Sequence, residues 1–434
     1  MCGGHDSKAG PNTAGKEGAM RFVLATLGSA GDVFPMVALG RGLAARGHAV
    51  WLLVNGHFEA IVRGEGLGFL PLGSAADYEA AMRDPRLWDA RRGFEFVVEG
   101  GMLPALPAAW DALAAFDPAD TVLVASGLVF AARVAQEARG FRLATVHLQP
   151  SMFRSVHDTP VYDQLPLGPR TPRWLKRLAF AALDALLIDR LIAPTLNAFR
   201  ARQGLSSPVR SVFGGWMHSP ELVLGLFPDW FAAPQPDWPV ATRLTGFVRY
   251  DAAAMTPPDA ALEAFLAAGP APLAFTAGSA MRQGGDFFRA AVAACARLGR
   301  RGLLLSGEPD ALPPLPDTVF AVRYAPFSTL FPRCAAVVHH GGVGTAAQAL
   351  AAGVPQLVTP MTHDQPDNAS RLARLGVAAS LPFSAVTAGV LAEALSGLLA
   401  RPTLAERCRD CARRVDFDAG LACALDAIEA LAAC

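Results

Sequence analysis

Residues 339–368, HHGGVGTAAQALAAGVPQLVTPMTHDQPDN, constrain the fold more than any other part of the chain. They contain the end of an apolar strand, a glycine-rich turn, a helix that begins near Gly344, and a second strand from Gln356 to Thr359. Two strands joined through a helix predict a parallel unit whose sheet must be covered by helices. The segment therefore predicts an α/β protein.

The glycine-rich turn also predicts an anion site. Gly341, Gly342 and Gly344 remove side-chain bulk, so that the free N–H groups and the positive end of the following helix can face an anion directly. His340 can add a donor to that anion, whereas His339 should point to the opposite face of its strand. We expect the ligand to be a phosphate or diphosphate.

A polar loop follows the second strand and contains Asp364 and Gln365. Both side chains are suited to the hydroxyl groups of a sugar. A sugar joined to a diphosphate would contact the glycine turn and this loop together.

The whole chain repeats the alternation of strand and helix in two halves. An apolar run from Arg21 to Leu27 meets the turn GSAG, and strands follow near Phe69, from Val122 and from Leu143. A stretch dense in proline and tryptophan separates this half from the next, where the alternation restarts at Leu273. The predicted divisions are a disordered extension (1–19), a first doubly wound domain (20–232), a linker (233–245), a second doubly wound domain (246–415) and a C-terminal helix that packs back toward the first domain (416–434).

Composition excludes several classes of protein. The formal net charge is 0, with 38 basic and 38 acidic residues, so no broad basic face for nucleic acid is expected. Seven scattered cysteines, with Cys408 and Cys411 as a lone C-x-x-C pair, indicate a reducing, cytoplasmic compartment. The most apolar long segment, from Leu178 to Leu196, is interrupted by charges and is predicted to be amphipathic.

Asp32 lies just beyond the first glycine turn, where a ligand crevice forms in open α/β sheets. Two interpretations are equally supported by the residues alone. Asp32 can cap the following helix, or it can accept a proton from an alcohol that attacks an electrophile. The turn lacks G-x-G-x-x-G spacing, so a dinucleotide site is disfavoured.

Two further residues are candidates in the second half. Ser279 follows a predicted strand and could reach the same diphosphate, or it could belong to an ordinary turn. Tyr324 could form an aromatic wall for a nucleotide base, or it could pack in the core. The one D-x-D triplet, Asp416 to Asp418, is read as a helix start, so we expect no metal and no cofactor.

The segment HHGGVGT, followed by ALAAGVPQLVTPMTHDQPDNA, resembles the donor-binding signature of family 1 glycosyltransferases, which have the GT-B fold. That fold has two Rossmann-like, doubly wound parallel-sheet domains that face each other across a cleft. The resemblance implies that residues 20–232 are the acceptor-binding domain and residues 246–415 the nucleotide-sugar donor-binding domain. GSAGDVFPMVALGRGL resembles the first loop of the sterol, antibiotic and lipid branch, in which an aspartate is the base. The resemblance therefore implies an inverting, metal-independent transferase with Asp32 as general base.

The resemblance also assigns donor contacts. His340, Gly342, Gly344 and Thr345 would bind the diphosphate, and Gln348 would lie near the ribose. Gln348 departs from the glutamate that is common in plant members.

Further motifs, including DPRLWD, WMHSP and LFPDWFAAPQPDWP, resemble the rhamnosyltransferase branch of rhamnolipid synthesis. This likeness implies dTDP-L-rhamnose as donor, a 3-(3-hydroxyalkanoyloxy)alkanoic acid as acceptor, and an upstream enzyme that makes the acceptor. Alternatives are a UDP-glucose-dependent transferase for a sterol, polyketide or other apolar aglycone, and a non-catalytic nucleotide-sugar-binding subunit.

The stretch from Trp174 to Ile192 has a long apolar face and follows Arg173. Core packing is the favoured interpretation of such a helix. The alternative is peripheral contact with the inner face of a membrane during capture of a lipid acceptor.

Overall fold

The computed structural model describes residues 19–89, 92–162, 165, 167–251, 259–278, 285–309, 312 and 314–433. Residues 1–18, which are all but the last residue of the predicted extension, lie outside this described part. The predicted site residue Ser279 also lies outside it.

The strands of the described chain form two sheets, and every pairing within them is parallel. The first sheet contains β1 (Arg21–Ala25), β2 (Ala49–Val54), β3 (Gly68–Pro71), β4 (Thr121–Ser126), β5 (Arg142–His147), β6 (Leu222–Gly225) and β7 (Thr242–Leu244). The second contains β8 (Leu273–Thr276), β9 (Gly302–Leu305), β10 (Val319–Val322), β11 (Ala336–His339), β12 (Gln356–Val358) and β13 (Ala378–Ser380).

Helices connect these strands and cover both sheets. Those before β8 are α1 (Ala30–Ala45), α2 (Glu59–Gly64), α3 (Ala75–Arg83), α4 (Gly93–Val97), α5 (Ala105–Leu113), α6 (Phe130–Arg139), α7 (Arg173–Leu183), α8 (Asp189–Arg202) and α9 (Ala260–Ala267). Those after it are α10 (Gly285–Leu298), α11 (Phe327–Leu330), α12 (Val343–Ala351), α13 (Gln365–Arg374), α14 (Ala388–Leu399), α15 (Leu404–Arg414) and α16 (Phe417–Ala433).

The strand orders are β3-β2-β1-β4-β5-β6-β7 and β10-β9-β8-β11-β12-β13. In each sheet the order reverses direction once, between β1 and β4 and between β8 and β11. Ligands bind outside the carboxyl ends of the strands at such reversals. The predicted fold class, two doubly wound parallel sheets, is confirmed.

The central strands are apolar because helices cover both faces of each sheet. In β1 only Arg21 is exposed, and β4 is buried along its first five residues. The hydrophobic residues of β1 and β4 are divided between two core clusters, one on each side of the first sheet. The second sheet is covered in the same way.

The segment predicted as a linker, residues 233–245, includes β7, which pairs with β6 at the edge of the first sheet. The residue pattern predicts no strand there, because the segment is short and rich in proline. Immediately after β7, the chain passes α16 at very close range. A Cβ atom on Gly420 would lie 2.4 Å from the carbonyl oxygen of Phe247.

The C-terminal helix α16 packs against α1 of the first domain. Leu425 and Ile428 belong to the same core cluster as Leu39, and a Cβ atom on Gly42 would lie 2.6 Å from a methyl group of Leu425. Glu429 accepts hydrogen bonds from His48, at 2.9 Å, and from Arg46. The last helix therefore joins the second half of the chain to the core of the first.

The crossing of α16 predicts that Gly420→Ala destabilises the protein. The added methyl would contact backbone atoms of Gly246 and Phe247, which can move only together with the segment that follows β7. We therefore expect the free energy of unfolding to fall by about 1–3 kcal/mol. Thermal unfolding followed by circular dichroism would measure it. Gly397→Ala is the matched control, because nothing lies within 4 Å of a Cβ atom on this helical glycine. The control should be neutral or slightly stabilising, and an equal loss in both variants would contradict the prediction.

Candidate active site

A cleft of about 1690 Å³ lies between the carboxyl edges of the two sheets. Its lining includes every predicted site residue that the structure describes. These are Asp32, Tyr324, His340, Gly342, Gly344, Thr345, Gln348, Asp364 and Gln365. Residues that are up to 333 positions apart in the sequence therefore meet in one cleft.

The N-terminus of α12 forms the second-domain wall of the cleft. Gly342 is the N-cap residue and has no side chain to satisfy the first N–H groups of the helix. Nothing lies within 4 Å of a Cβ atom on Gly344, so this turn faces open space. The free N–H groups and the helix dipole make the position suited to an anion.

The His340 ring is held between two glycines. A Cβ atom would lie 2.8 Å from the ring on Gly278 and 2.5 Å from it on Gly342, so both positions require glycine. Burial lowers the pKa of His340 to about 4, so the ring is neutral at pH 7 and donates from one nitrogen. Nδ1 has no hydrogen-bond partner among the described residues.

His339, in contrast, is part of the core, as its alternation with His340 predicted. It is fully buried, and its Nδ1 accepts a hydrogen bond from the backbone N–H of Gly341 at 3.2 Å. Because Nδ1 accepts, Nε2 carries the proton and donates to Oε1 of Gln356 at 2.9 Å. His339 thus fixes the turn that presents His340.

Asp364 lies at the start of α13, beside the anion site. Its Oδ2 accepts a hydrogen bond from Nδ2 of Asn368 at 2.7 Å. The same Nδ2 group donates to the carbonyl oxygen of Gly341 at 2.9 Å. Asn368, which is fully buried, therefore ties the polar loop to the glycine turn. Asn368 lies within α13, and the residue pattern assigns it no role.

Gln365 is almost entirely buried. Its Oε1 accepts hydrogen bonds from the backbone N–H groups of Met361, at 2.8 Å, and Thr362, at 3.4 Å. This oxygen shapes the loop, and the side chain still contributes to the lining of the cleft.

Asp32 faces this loop from the first domain. Ser29 is the N-cap of α1, and Asp32, at the third helical position, completes a capping box. Its Oδ2 accepts a hydrogen bond from the backbone N–H of Ser29 at 2.8 Å. A Cβ atom on Gly28, which has φ +124°, would lie 2.2 Å from that oxygen. Asp32 therefore stabilises the helix start and lines the cleft at the same time.

The two carboxyl groups bind protons unusually strongly. Burial raises the pKa of Asp32 to about 6, and the hydrogen bonds from Ser29 oppose this shift. Burial also raises the pKa of Asp364 to about 7, and the negative charge of Asp32 adds to the effect. Asp32 and Asp364 are therefore electrostatic neighbours across the cleft.

The remaining predicted residues occupy the second-domain wall. Thr345 is in the first turn of α12, and Gln348 is one turn later, with an Oε1 that has no partner among the described residues. Tyr324 follows β10 and is 48% exposed, so it is not a core residue.

The first-domain half of the cleft is mainly apolar, and sequence reasoning identified little of it. Its walls come from loops after β3, β4 and β5, from the segment between α8 and β6, and from residues in or near α4, α5 and α8. The hydrophobic lining residues include Phe94, Val97, Met102, Leu128, Met152, Leu183, Leu187, Leu191 and Phe213. Each is an ordinary apolar residue in sequence, so no local signal distinguishes it from the core.

The D-x-D triplet starts α16, as predicted. Oδ1 of Asp416 accepts a hydrogen bond from the backbone N–H of Ala419 at 2.9 Å. Within the described ranges, no group of three or more His, Cys, Asp or Glu side chains could hold a metal ion. Within the same ranges, no helix is long and apolar enough to cross a membrane.

Known proteins share this architecture and these segments. Residues 22–156 match the glycosyltransferase family 28 N-terminal domain, and residues 305–416 match the C-terminal domain of erythromycin biosynthesis protein CIII-like proteins. The chain is 34% identical to O-mycaminosyltylonolide 6-deoxyallosyltransferase of Streptomyces fradiae, over 94% of this chain and 96% of that protein.

Two solved structures resemble the whole chain. Spinosyn rhamnosyltransferase SpnG complexed with thymidine diphosphate has a TM-score of 0.65 and 19% identity, covering 94% of this chain and all of the other. Glycosyltransferase VinC in complex with DTDP has a TM-score of 0.66 and 22% identity, covering 95% of this chain and all of the other.

Fold and site together define a glycosyltransferase of the GT-B type. With 34% identity over nearly its whole length to a named glycosyltransferase, the chain belongs to the family 1 glycosyltransferases.

The bridging role of Asn368 gives a stability prediction. Asn368→Ala removes the side-chain donor to the Asp364 carboxylate and leaves the Gly341 carbonyl without its side-chain donor, so we expect a loss of about 1–3 kcal/mol. Urea unfolding would measure it. Ser370→Ala, on the same helix and outside this bridge, should change stability by less than about 0.5 kcal/mol. Equal stability of wild type and Asn368→Ala would show that the bridge contributes nothing.

Proposed function

We propose that the protein transfers a 6-deoxyhexose, with L-rhamnose as first choice, from a thymidine diphosphate sugar to a hydroxyl group of an apolar acceptor, with inversion at the anomeric carbon. The observation that carries this proposal is the facing pair Asp32 and Asp364. One carboxyl group lies on the apolar, acceptor side of the cleft, and the other lies beside the anion site.

In the proposed reaction, Asp32 removes the acceptor proton. The acceptor oxygen attacks the anomeric carbon from the face opposite the nucleotide, and the bond to the diphosphate breaks. Charge on the departing diphosphate is met by the α12 N-terminus and His340, which need no metal for this role. Asp364 and Gln365 hold sugar hydroxyls, Gln348 lies near the ribose, and Tyr324 lies beside the base.

The choice of donor is supported by the names of similar proteins. One structural neighbour is named a rhamnosyltransferase and contains thymidine diphosphate, and another contains DTDP. The Streptomyces fradiae relative is named for transfer of a 6-deoxyallosyl group. The names of the two structures favour thymidine diphosphate over UDP as the carrier, and the names of the rhamnosyltransferase and of the Streptomyces fradiae relative favour a deoxysugar over glucose.

For the acceptor, the apolar first-domain walls favour a lipid-like alcohol such as a 3-(3-hydroxyalkanoyloxy)alkanoic acid. In that case an upstream enzyme would supply the acceptor. The second candidate is a polyketide aglycone, because the Streptomyces fradiae relative is named for a tylonolide derivative. A screen of dTDP- and UDP-sugars against both acceptor types, read by mass spectrometry, would decide between them. Binding of donor without nucleotide release under any pairing would instead support a non-catalytic subunit.

Asp32→Asn tests the assignment of the base. The amide oxygen can still accept the hydrogen bond from Ser29, so we expect the fold and nucleotide binding to remain and turnover to fall by about 10²–10⁴-fold. Since burial raises the pKa of Asp32 to about 6, the base is active only above that pH. Initial rates of the wild type should therefore fall as pH decreases through about 6, and the variant should lack this limb.

Asp259→Asn is the control for this variant, because Asp259 is a helix-capping aspartate that does not line the cleft. It is the N-cap of α9, and its Oδ1 accepts hydrogen bonds from the backbone N–H groups of Ala261 at 3.0 Å and Leu262 at 3.1 Å. Its substitution should cost similar stability without the loss of turnover. Wild-type turnover in Asp32→Asn would exclude Asp32 as the base.

The segment from Trp174 to Ile192 has one apolar face that is buried and another that is exposed. Phe180, Ile188 and Ile192 are buried, as core packing requires. Trp174 is 65% exposed and Leu178 is 58% exposed, on a helix that contains no acidic residue.

This exposed face continues to the cleft. A π-helical turn, Asp184–Ile188, joins α7 to α8, and both Leu186 and Leu187 are exposed and line the cleft. Arg173 and Arg177 flank the apolar face with positive charge. Part of the proposal is therefore that this face rests on an anionic lipid surface, from which an acceptor enters past the π-helical turn.

Co-sedimentation with phosphatidylcholine vesicles, with and without phosphatidylglycerol, tests the membrane contact. We expect binding that requires the anionic lipid and falls roughly tenfold or more in Trp174→Ala. Val390→Ala removes an exposed side chain in the second domain and should bind like wild type. Absence of vesicle binding, or concentration-dependent dimers that disappear in Trp174→Ala, would contradict a lipid contact at this face.

A further inference from the structure

Helix α13 is held between the donor site and the first domain. Asp364 begins it on the cleft side. Asp367 and Arg371 are four residues apart and therefore lie on one face of the helix, directed toward the first domain. The first-domain residues that meet this face belong to the segment that follows β5, from Ser155 to Tyr162.

A buried network joins the two domains at this point. Arg371 is only 2% exposed, and its Nε donates to Oδ2 of Asp367 at 2.7 Å. Nη1 of Arg371 donates to Oδ2 of Asp158 in the first domain at 3.0 Å. The backbone N–H of Val161 donates to Oδ1 of Asp367 at 3.0 Å. Asp158 thus accepts a hydrogen bond from the second domain. Asp367 accepts one from its own helix and one from the first domain.

The charges in this network are well matched. Desolvation by burial would raise the pKa of Asp158, but Arg374 and Arg371 outweigh it and hold this pKa below its usual range. Nη1 of Arg374 donates to the other oxygen of Asp158 at 2.8 Å. Asp158 therefore stays ionised and bound to α13 at neutral pH.

His363, which directly precedes Asp364, makes a second contact between the two domains. His363 has a left-handed backbone with φ 62°, which is uncommon for a residue with a side chain. Its Nε2 donates to the carbonyl oxygen of Leu87 at 3.1 Å, and its ring meets the edge of Trp88 at a centroid distance of 6.2 Å. The first domain thus contacts the second on both sides of Asp364 and Gln365.

The two first-domain segments that make these contacts also line the acceptor side of the cleft. Leu87, Trp88 and Tyr162 are all lining residues. Movement of either segment would therefore alter both the acceptor side of the cleft and the position of Asp364 and Gln365. By contrast, the α12 N-terminus and His340, which would bind the diphosphate in the proposed function, lie entirely in the second domain.

We propose that Asp158 and Arg371 are positioning residues that place Asp364 against the transferred sugar by fixing α13 to the first domain. This inference rests on the proposed function. The network supports recognition of the sugar and turnover, and it leaves the affinity for the nucleotide alone unchanged.

Asp158→Ala is the variant that tests it, because Asp158 lies in a loop and is 28% exposed at its side chain. Substitution of Arg371 would leave Asp367 buried without its cation and would endanger folding. Affinities for thymidine diphosphate and for the donor identified in the screen would be measured by calorimetry, together with kcat and KM.

We expect the thymidine diphosphate affinity of Asp158→Ala to stay within about twofold of wild type, while kcat/KM falls roughly 10- to 100-fold. Asp158→Asn keeps hydrogen-bond acceptance and should recover part of this loss. Asp120→Ala breaks an ion pair with Arg21 that lies within the first domain and should have no effect on kcat/KM.

The possible outcomes distinguish a failure of the positioning role from a failure of the proposed function. Unchanged kcat/KM in Asp158→Ala, or an equal loss of affinity for thymidine diphosphate and for the nucleotide sugar, would overturn the positioning role. A wild-type protein that binds no thymidine diphosphate and releases no nucleotide would instead refute the proposed function, and the inference with it.

Discussion

The close backbone crossing of Gly420 in α16 with the Gly246–Phe247 segment is the constraint on which the active site depends. Here the chain leaves the first sheet at β7 and returns to it through α16 after completing the second domain. The apolar face of α16 then completes the core around Leu39. The two carboxyl edges consequently face each other, and Asp32 raises the pKa of Asp364 although 332 positions separate them. Neither domain alone contains this pair.

Most of the fold and much of the site could be predicted because their signals are local. Apolar runs bounded by glycine turns predict strands, and the alternation of strand and helix predicts parallel sheets. The adjacent pair His339 and His340 could be divided into a core and a cleft residue because strand side chains alternate. Contacts between distant loops have no such signal. His363 and Leu87 are 276 positions apart, and Arg371 and Asp158 are 213 apart.

The segment from Trp174 to Ile192 shows a different limit. Its apolar residues follow helical spacing, which favours one continuous buried stripe. The π-helical turn inserts a residue into the regular repeat and rotates the following side chains. Phe180 and Ile188 can therefore be buried while Leu186 and Leu187 reach both solvent and the cleft. Asp184 in this turn is ion-paired with Arg154, a contact that periodicity does not reveal.

The sequence leaves two interpretations of Asp32 open, helix cap or base, and in the structure Asp32 completes the capping box of α1 while it also lines the cleft. The hydrogen bonds from Ser29 favour the ionised form, whereas burial favours the neutral form, and the balance leaves the pKa at about 6. Asp364 has a higher pKa, about 7, because it is buried beside the charge of Asp32. The position of each carboxyl group supports its proposed role. Asp32 lies on the apolar side of the cleft, where it would accept the proton of the acceptor, and Asp364 lies beside the anion site, where it would bind the hydroxyl groups of the sugar.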